Sequence, residues 1–294
     1  MIRWLIATLM LVAAGAAHGQ LNVVATTSNM GMLAETVGGE HVSVTVLAPP
    51  DRDVHYLEAR PAMMAALRRA DLLLAVGAEL EVGWLPAAIS GAGNARVNPG
   101  RRGYFEAAAQ VDRIEEGRPA DRALGDVHPA GNPHVYLDPE RMARIARTLA
   151  ERLAEMDAAN AQRFRANAQA FAEGVEARID GWRERVDGAP GVVLFHADAN
   201  YLMRLLEVPV HGYLEPVPGV PPTGAHLREL VRGLKGKRGV IIRYPYQMER
   251  ATDFLGARLD MEVHELMPGV EVGGSAEDYF ALIERWVDAI SSAK

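Results

Sequence analysis

Three histidines stand in three separate and differently flanked segments. His55 lies in Asp53-Val54-His55-Tyr56, His134 in Asn132-Pro133-His134-Val135-Tyr136-Leu137-Asp138-Pro139, and His196 in Leu194-Phe195-His196-Ala197-Asp198. Neutral imidazole is the commonest metal-ligating side chain. Three imidazoles meeting at one point suit a borderline ion such as zinc. Taken singly, each histidine has an ordinary reading: a loop residue, a turn residue after a proline, and a core residue after an apolar strand. The flanks and the order of all three carry the ligand reading.

The other polar candidates read as less specific. His128, six positions before His134, is expected to be a solvated loop residue; the alternatives are an outer contact or a transient ligand on the way in. His18, His41, His211, His226 and His264 read as surface or structural. Glu79 and Glu81 form an acidic pair that could serve acid/base work, but a solvated turn is the expectation. Asp138 is expected to cap a helix starting at Pro139, where a carboxylate is stabilising. It could instead orient a metal-bound imidazole, and Asp198 has the same ambiguity.

The elements that must position these residues follow from hydrophobic pattern. Strands are expected at Leu21 to Thr27, Val42 to Leu47, Asp71 to Val76, Gly191 to Phe195, Val208 to Val210, Gly239 to Ile242 and Glu262 to Val263. Helices are expected at Met30 to Val37, Pro61 to Arg69, Tyr201 to Leu206, 224–234, 247–257 and Ala276 to Ile290. Pro61 suits a first helical turn. Residues 86–133, rich in Gly, Pro and charge, read as irregular. Alternating strands and helices argue for parallel sheets with covered faces. His55 and His196 fall at the carboxyl ends of strands, where open αβ sheets bind ligands, and a cleft between two αβ lobes could gather all three histidines.

From Pro139 onward, Met142, Ile145, Leu149, Leu153 and Met156 mark one helix face. The pattern resumes after Asp157-Ala158-Ala159-Asn160 with Phe164, Ala168, Phe171, Val175, Ile179 and Trp182. Pattern alone admits both a domain-joining backbone helix and two ordinary packing helices.

The chain has 294 residues, room for about two domains. A 49 % hydrophobic fraction supplies sizeable cores, and a net charge of −7 argues against a nucleic-acid partner. Residues 1–19 read as a secretory signal peptide: Arg3, an apolar run from Trp4 to Ala14, then small residues to Gly19. Cleavage is expected after Gly19, with a cut two residues earlier the alternative; the run is too short to span a bilayer comfortably. There is no cysteine, hence no disulfide framework, no thiolate metal site and no thiol for a lipid anchor. A soluble periplasmic protein is the expectation.

The ordered segments resemble a known family, the solute-binding proteins of ABC importers for zinc and manganese (cluster A-I, with the zinc-uptake and treponemal metal-binding proteins). The resemblance spans essentially the whole chain after residue 19. It rests on Val24-Ala25-Thr26-Thr27; Asp53-Val54-His55-Tyr56 with Arg60-Pro61; Ala70-Asp71-Leu72; Gly77-Ala78-Glu79-Leu80-Glu81 with Trp84-Leu85; Gly131 to Pro139; and Phe195-His196-Ala197-Asp198-Ala199-Asn200-Tyr201. It implies an α/β fold: two αβ lobes with parallel-type sheets joined by one long rigid helix, the metal site in the cleft between them. The implied division is 20–156 for the N-terminal lobe, 157–187 for the linking helix and 188–294 for the C-terminal lobe. It implies His55, His134 and His196 as ligands. The third ligand is His in zinc-type sites and Glu in many manganese-type sites, and imidazole suits zinc better than manganese.

Two features depart from the family pattern. Residues 86–127 contain no histidine, so a metal-scavenging loop is not evident. The usual fourth ligand, an Asp near the C-terminus, is absent from Val263-His264-Glu265-Leu266-Met267-Pro268-Gly269. Glu265 or Glu215 could serve there, or a water. The expected function is capture of Zn²⁺ as cargo, with Mn²⁺ the less favoured ion, and delivery by a monomer to an inner-membrane permease. The alternative is a periplasmic zinc hydrolase, since three histidines with an open position also describe catalytic zinc. No His-Glu-x-x-His motif supports it. An adhesin-like surface protein is a third class.

Overall fold

The computed structural model describes residues 19–116, 128–217 and 219–294. The expected signal peptide, apart from Gly19, lies outside the described residues.

Two four-stranded parallel sheets form the frame. The first has the order β2-β1-β3-β4, from β1 (Leu21–Thr27), β2 (Val42–Ala48), β3 (Leu72–Ala75) and β4 (Tyr104–Glu106). The second repeats the arrangement as β6-β5-β7-β8, from β5 (Val192–Leu194), β6 (Val210–Tyr213), β7 (Val240–Arg243) and β8 (Glu262–Glu265). β3 and β5 are buried along their whole length, as apolar strands covered on both faces must be. In each sheet the chain winds outward from the middle in both directions. The crevice at that reversal opens at the carboxyl ends of β1 and β3 in one sheet and of β5 and β7 in the other.

Helices cover the sheets: α1 (Ser28–Gly38), α2 (Pro61–Arg69), α3 (Leu85–Ala92), α4 (Pro139–Met156), α5 (Ala161–Val186), α6 (Asn200–Leu205), α7 (Gly224–Leu234), α8 (Glu249–Leu259) and α9 (Ala276–Ser291). The Asp138 side chain caps α4, accepting the Arg141 N–H at 2.9 Å, and pairs with the Arg141 guanidinium. On α4, Met142, Ile145, Leu149 and Leu153 are buried as the three- and four-residue spacing requires; on α5, Phe164, Phe171, Val175 and Trp182 are. α5 has 26 residues and is about 39 Å long. It runs from the first lobe to the second, the backbone arrangement rather than that of two local packing helices.

One continuous core joins β1, β3, α1, α4, α5 and α9 to β5 and α6, so the two lobes share packing. A smaller core lies under α7 and α8. Two elements depart from expectation. β4 and nearly all of α3 fall within 86–133, which reads as irregular; a three-residue edge strand leaves no alternation to detect, and an eight-residue helix only two turns. β6 begins at Val210, where the pattern places the strand's end.

Candidate metal centre

Each of the three histidines is fixed through one ring nitrogen, and the other is aimed at a common point. After β2, Asp53 opens a 3₁₀ turn over Val54–Tyr56. Its Oδ1 accepts the His55 backbone N–H at 3.0 Å and meets His55 Nδ1 at 2.7 Å. A carboxylate only accepts, so Nδ1 carries the hydrogen and Nε2 keeps its lone pair. Behind the turn, the buried Trp84 donates from Nε1 to the Val54 carbonyl at 2.8 Å.

His134 stands on the approach to α4. Gly131 turns the chain with φ +99°, where a Cβ would come within 2.8 Å of the Arg113 side chain. The next residue, Asn132, ties two ligand segments together. Its Oδ1 accepts the His134 N–H at 3.0 Å, and its Nδ2 donates to the Ala197 carbonyl, next to His196, at 2.7 Å. The Tyr201 hydroxyl donates to the Asn132 carbonyl at 2.6 Å. His134 Nδ1 meets the Tyr136 hydroxyl at 2.8 Å. His196 follows β5, and its Nδ1 is 2.7 Å from Glu215 Oε2, which also accepts the Gly219 N–H at 2.9 Å.

The three rings converge. One nitrogen from each lies within 4.8 Å of the others, and the ring centroids are 5.1 Å (His55–His134), 5.2 Å (His134–His196) and 5.4 Å (His55–His196) apart. Imidazoles bound tetrahedrally at a Zn–N distance of about 2.0 Å have centroids about 5 Å apart. Nε2 of His55 and of His134 are buried with no hydrogen-bond partner. Buried polar atoms are seldom left so, and a cation shared by the rings accounts for both. A cavity of about 320 Å³ adjoins the triad, walled also by Glu215, Asp198 and Tyr246, with Tyr56 and Met248 exposed at its edge.

The site's electrostatics follow its burial. Burial first, then its neighbouring histidines, hold His134 well below the ordinary imidazole range, so it is neutral at pH 7. Burial would lower His196 too, but its hydrogen bond to Glu215 and the charges of Asp198, Glu215 and Asp53 overcome it and raise the ring to about 9. Asp198 is pushed up to about 6, chiefly by burial, against the pull of His196 and a hydrogen bond with Tyr244. Burial also opposes ionisation of Asp53, yet the His55 hydrogen bonds and charge keep its carboxyl below the usual range.

Neither carboxylate expected as a fourth ligand joins the donor group. Glu215 spends Oε2 on His196 Nδ1 and the Gly219 N–H, so it orients the His196 ring, as carboxylates behind metal-site histidines commonly do. Glu265 pairs at 2.6 Å with Arg243, its neighbour across the β7–β8 pairing, and points to a half-exposed surface. The loop after it is pinned to α1 by Asn29, which donates to the Pro268 carbonyl and accepts the Val270 N–H.

Two expectations from sequence are overturned. His128 is not a solvated loop residue: its ring lies 5.5 Å from that of His55 and 6.2 Å from that of His134, with both ring nitrogens buried. Glu81 is not in a solvated turn. It is buried, and its carboxylate accepts the Thr26 hydroxyl at 2.6 Å and the Val76 and Gly77 N–H groups at 2.8 and 3.0 Å. Ala78 and Glu79, both at positive φ, bend the chain back so that Glu81 reaches the ends of β1 and β3. Charge in a Gly-led turn gave no signal of this.

Comparison with known proteins agrees with the fold. The structure superimposes on a crystal structure of ZnuA with a TM-score of 0.77 at 22 % identity, covering 92 % of this chain and 99 % of that one. It matches the solute-binding protein FpvC from Pseudomonas aeruginosa in complex with Mn²⁺ with a TM-score of 0.77 at 21 % identity, covering 93 % and 98 %. Among curated proteins, the metal ABC transporter substrate-binding lipoprotein ScbA of Streptococcus cristatus is 27 % identical over 148 residues, 49 % of this chain and 44 % of that protein. The manganese-binding lipoprotein MntA of Bacillus subtilis is 42 % identical over 69 residues, 24 % of this chain and 22 % of that one. The chain thus aligns with less than half the length of these curated relatives. The family described as zinc-uptake complex component A, periplasmic (ZnuA), matches residues 23–293, and the chain belongs to it.

Proposed function

We propose that this protein is the periplasmic metal-capturing component of an ABC importer. It binds Zn²⁺ through His55, His134 and His196 and passes it to a membrane permease. The observation that carries this reading is the convergence of three imidazoles, two of them with buried Nε2 atoms that have no hydrogen-bond partner. Relatives named as metal ABC transporter substrate-binding proteins support the transport role. Relatives that bind manganese keep Mn²⁺ open as a cargo, but an all-imidazole triad favours zinc, since manganese prefers oxygen donors. Residues 20–156 and 188–294 serve as the two lobes and 157–187 as their connection. The protein would act in the periplasm as a monomer.

The site binds and releases its ion without bond-breaking. A hydrolytic zinc needs a general base beside the metal-bound water, and Glu215 already holds His196 Nδ1 and the Gly219 N–H. The test is chelator competition on wild type and His196→Ala. The expected result is a loss of zinc affinity of roughly 100-fold or more, since even losing an outer partner costs about 10- to 100-fold, with an unchanged melting temperature for the metal-free variant. Equal affinities would remove His196 from the site and the reading with it.

A further inference from the structure

We infer that His128 is the fourth ligand of the bound ion, giving an all-imidazole donor set that selects zinc over manganese. This rests on the three-histidine reading above and goes beyond it. A tetrahedral zinc needs four donors, and the triad supplies three. Neither of the two expected carboxylates stands in the donor group: Glu215 holds His196 through Oε2, and Glu265 is drawn off by Arg243.

His128 has the right chemistry and stands in the right place. Its ring centroid is 5.5 Å from that of His55, close to the 5.1–5.4 Å separations within the triad. It is 6.2 Å from that of His134, about an ångström beyond the spacing of about 5 Å expected for imidazoles on one zinc. Both of its ring nitrogens are buried, and its ring lies against those of His55 and His134. It precedes Gly131 by three residues in a turn whose Gly131 N–H donates to the His128 carbonyl at 3.0 Å, and it stands just outside the converged group of three, so ligation would draw its ring inward.

The arrangement divides the labour of the site. His128 stands against His55 and His134 and is not part of the cavity wall, which carries Asp198 and Glu215 beside His196. A hydrated cation enters on the side of those carboxylates, and His128 completes the shell from the other residues' side as water leaves. Four imidazoles and no oxygen suit zinc, and they suit manganese poorly.

The test uses residues 20–294 loaded with Zn²⁺. Zinc X-ray absorption should show four imidazole ligands in wild type, and three plus one oxygen in His128→Ala. Chelator competition should show zinc affinity reduced roughly 10- to 100-fold in His128→Ala, with manganese affinity changed less, so that the zinc-to-manganese preference falls. His128→Gln, which keeps a polar side chain of similar reach, should behave as His128→Ala does. A wild-type ligand shell and affinity in both variants would overturn the assignment and leave the triad standing. Absence of zinc binding by wild type, or wild-type binding by His196→Ala, would overturn the triad itself. Melting of the metal-free variants separates lost ligation from lost folding.

Discussion

The chemistry of this site lies in which nitrogen of each ring is held and which is offered. Asp53 and Glu215 fix Nδ1 of His55 and His196, and Tyr136 meets Nδ1 of His134, which leaves Nε2 of each ring for the proposed metal. Glu215→Ala should therefore weaken zinc binding roughly 10- to 100-fold while leaving one zinc per chain, as read by chelator competition; an unchanged affinity would mean that His196 needs no orientation. The proton on His196 sets a pH dependence. Because its neighbours raise the ring to about 9, the metal-free site holds a proton near neutral pH that zinc must displace. Zinc affinity should rise with pH, by up to about tenfold per unit, and level off above about 9. His134, already neutral, adds no slope there. A flat profile between pH 6 and 9 would contradict the assignment. At this scale the sequence was informative where loops carry distinctive flanks, as at His55, His134 and His196. It was silent where a loop folds onto the site, because nothing in Asp126-Val127-His128-Pro129 says that its ring turns toward His55.

At the scale of elements, the site depends on turns that the strands hand to it. Glu81 closes the ends of β1 and β3 with three accepted hydrogen bonds, and burial raises its carboxyl above the usual range. Glu81→Gln would set an amide NH₂ against one of the backbone N–H groups, costing about 1–3 kcal/mol of stability. Chemical denaturation checks this, and a variant as stable as wild type would show that the carboxylate has no structural role. Gly131→Ala should displace the second ligand loop, since φ is +99° and a Cβ would meet Arg113 and Ile114. The expected outcome is about 1–3 kcal/mol of destabilisation together with weaker zinc binding. Helices α4, α5, α7 and α9 were legible because their apolar residues recur on one face over many turns. β4 and α3 were not, being short and set among Gly and Pro residues. The buried turn at Glu81 was hidden for another reason: its partners are backbone groups of strands distant in the chain, which no local pattern encodes.

At the scale of the whole molecule, the two lobes are bound to each other around the site. The shared core runs from β1 to α9, and α9 returns from the second lobe to pack on α5 and α1. Arg185 of α5 pairs with Glu284 and Asp288 of α9, and Tyr279 of α9 donates to the Tyr136 carbonyl beside the second ligand at 2.9 Å. Asn132 and Asn29 add bonds between the lobes on either side of the cleft. Such a frame allows small adjustment rather than wide hinge opening, so X-ray scattering should give the same radius of gyration with and without zinc. A marked compaction on zinc addition would contradict a rigid frame. Zinc should also stabilise the fold by mass action, by about 4 kcal/mol at a free concentration a thousandfold above its dissociation constant. The fold class was readable from alternating strands and helices, but the sharing of one core by both lobes was not, because α9 reaches back across the chain's full length.

The measurement that bears most directly on the central claim is a calorimetric titration of metal-free residues 20–294 with Zn²⁺, with and without excess Mn²⁺. The account predicts one tight zinc site per chain, proton release on binding, and no displacement by manganese. Weak or absent zinc binding, or a site that manganese takes readily, would contradict a three-imidazole zinc centre and the transport role built on it.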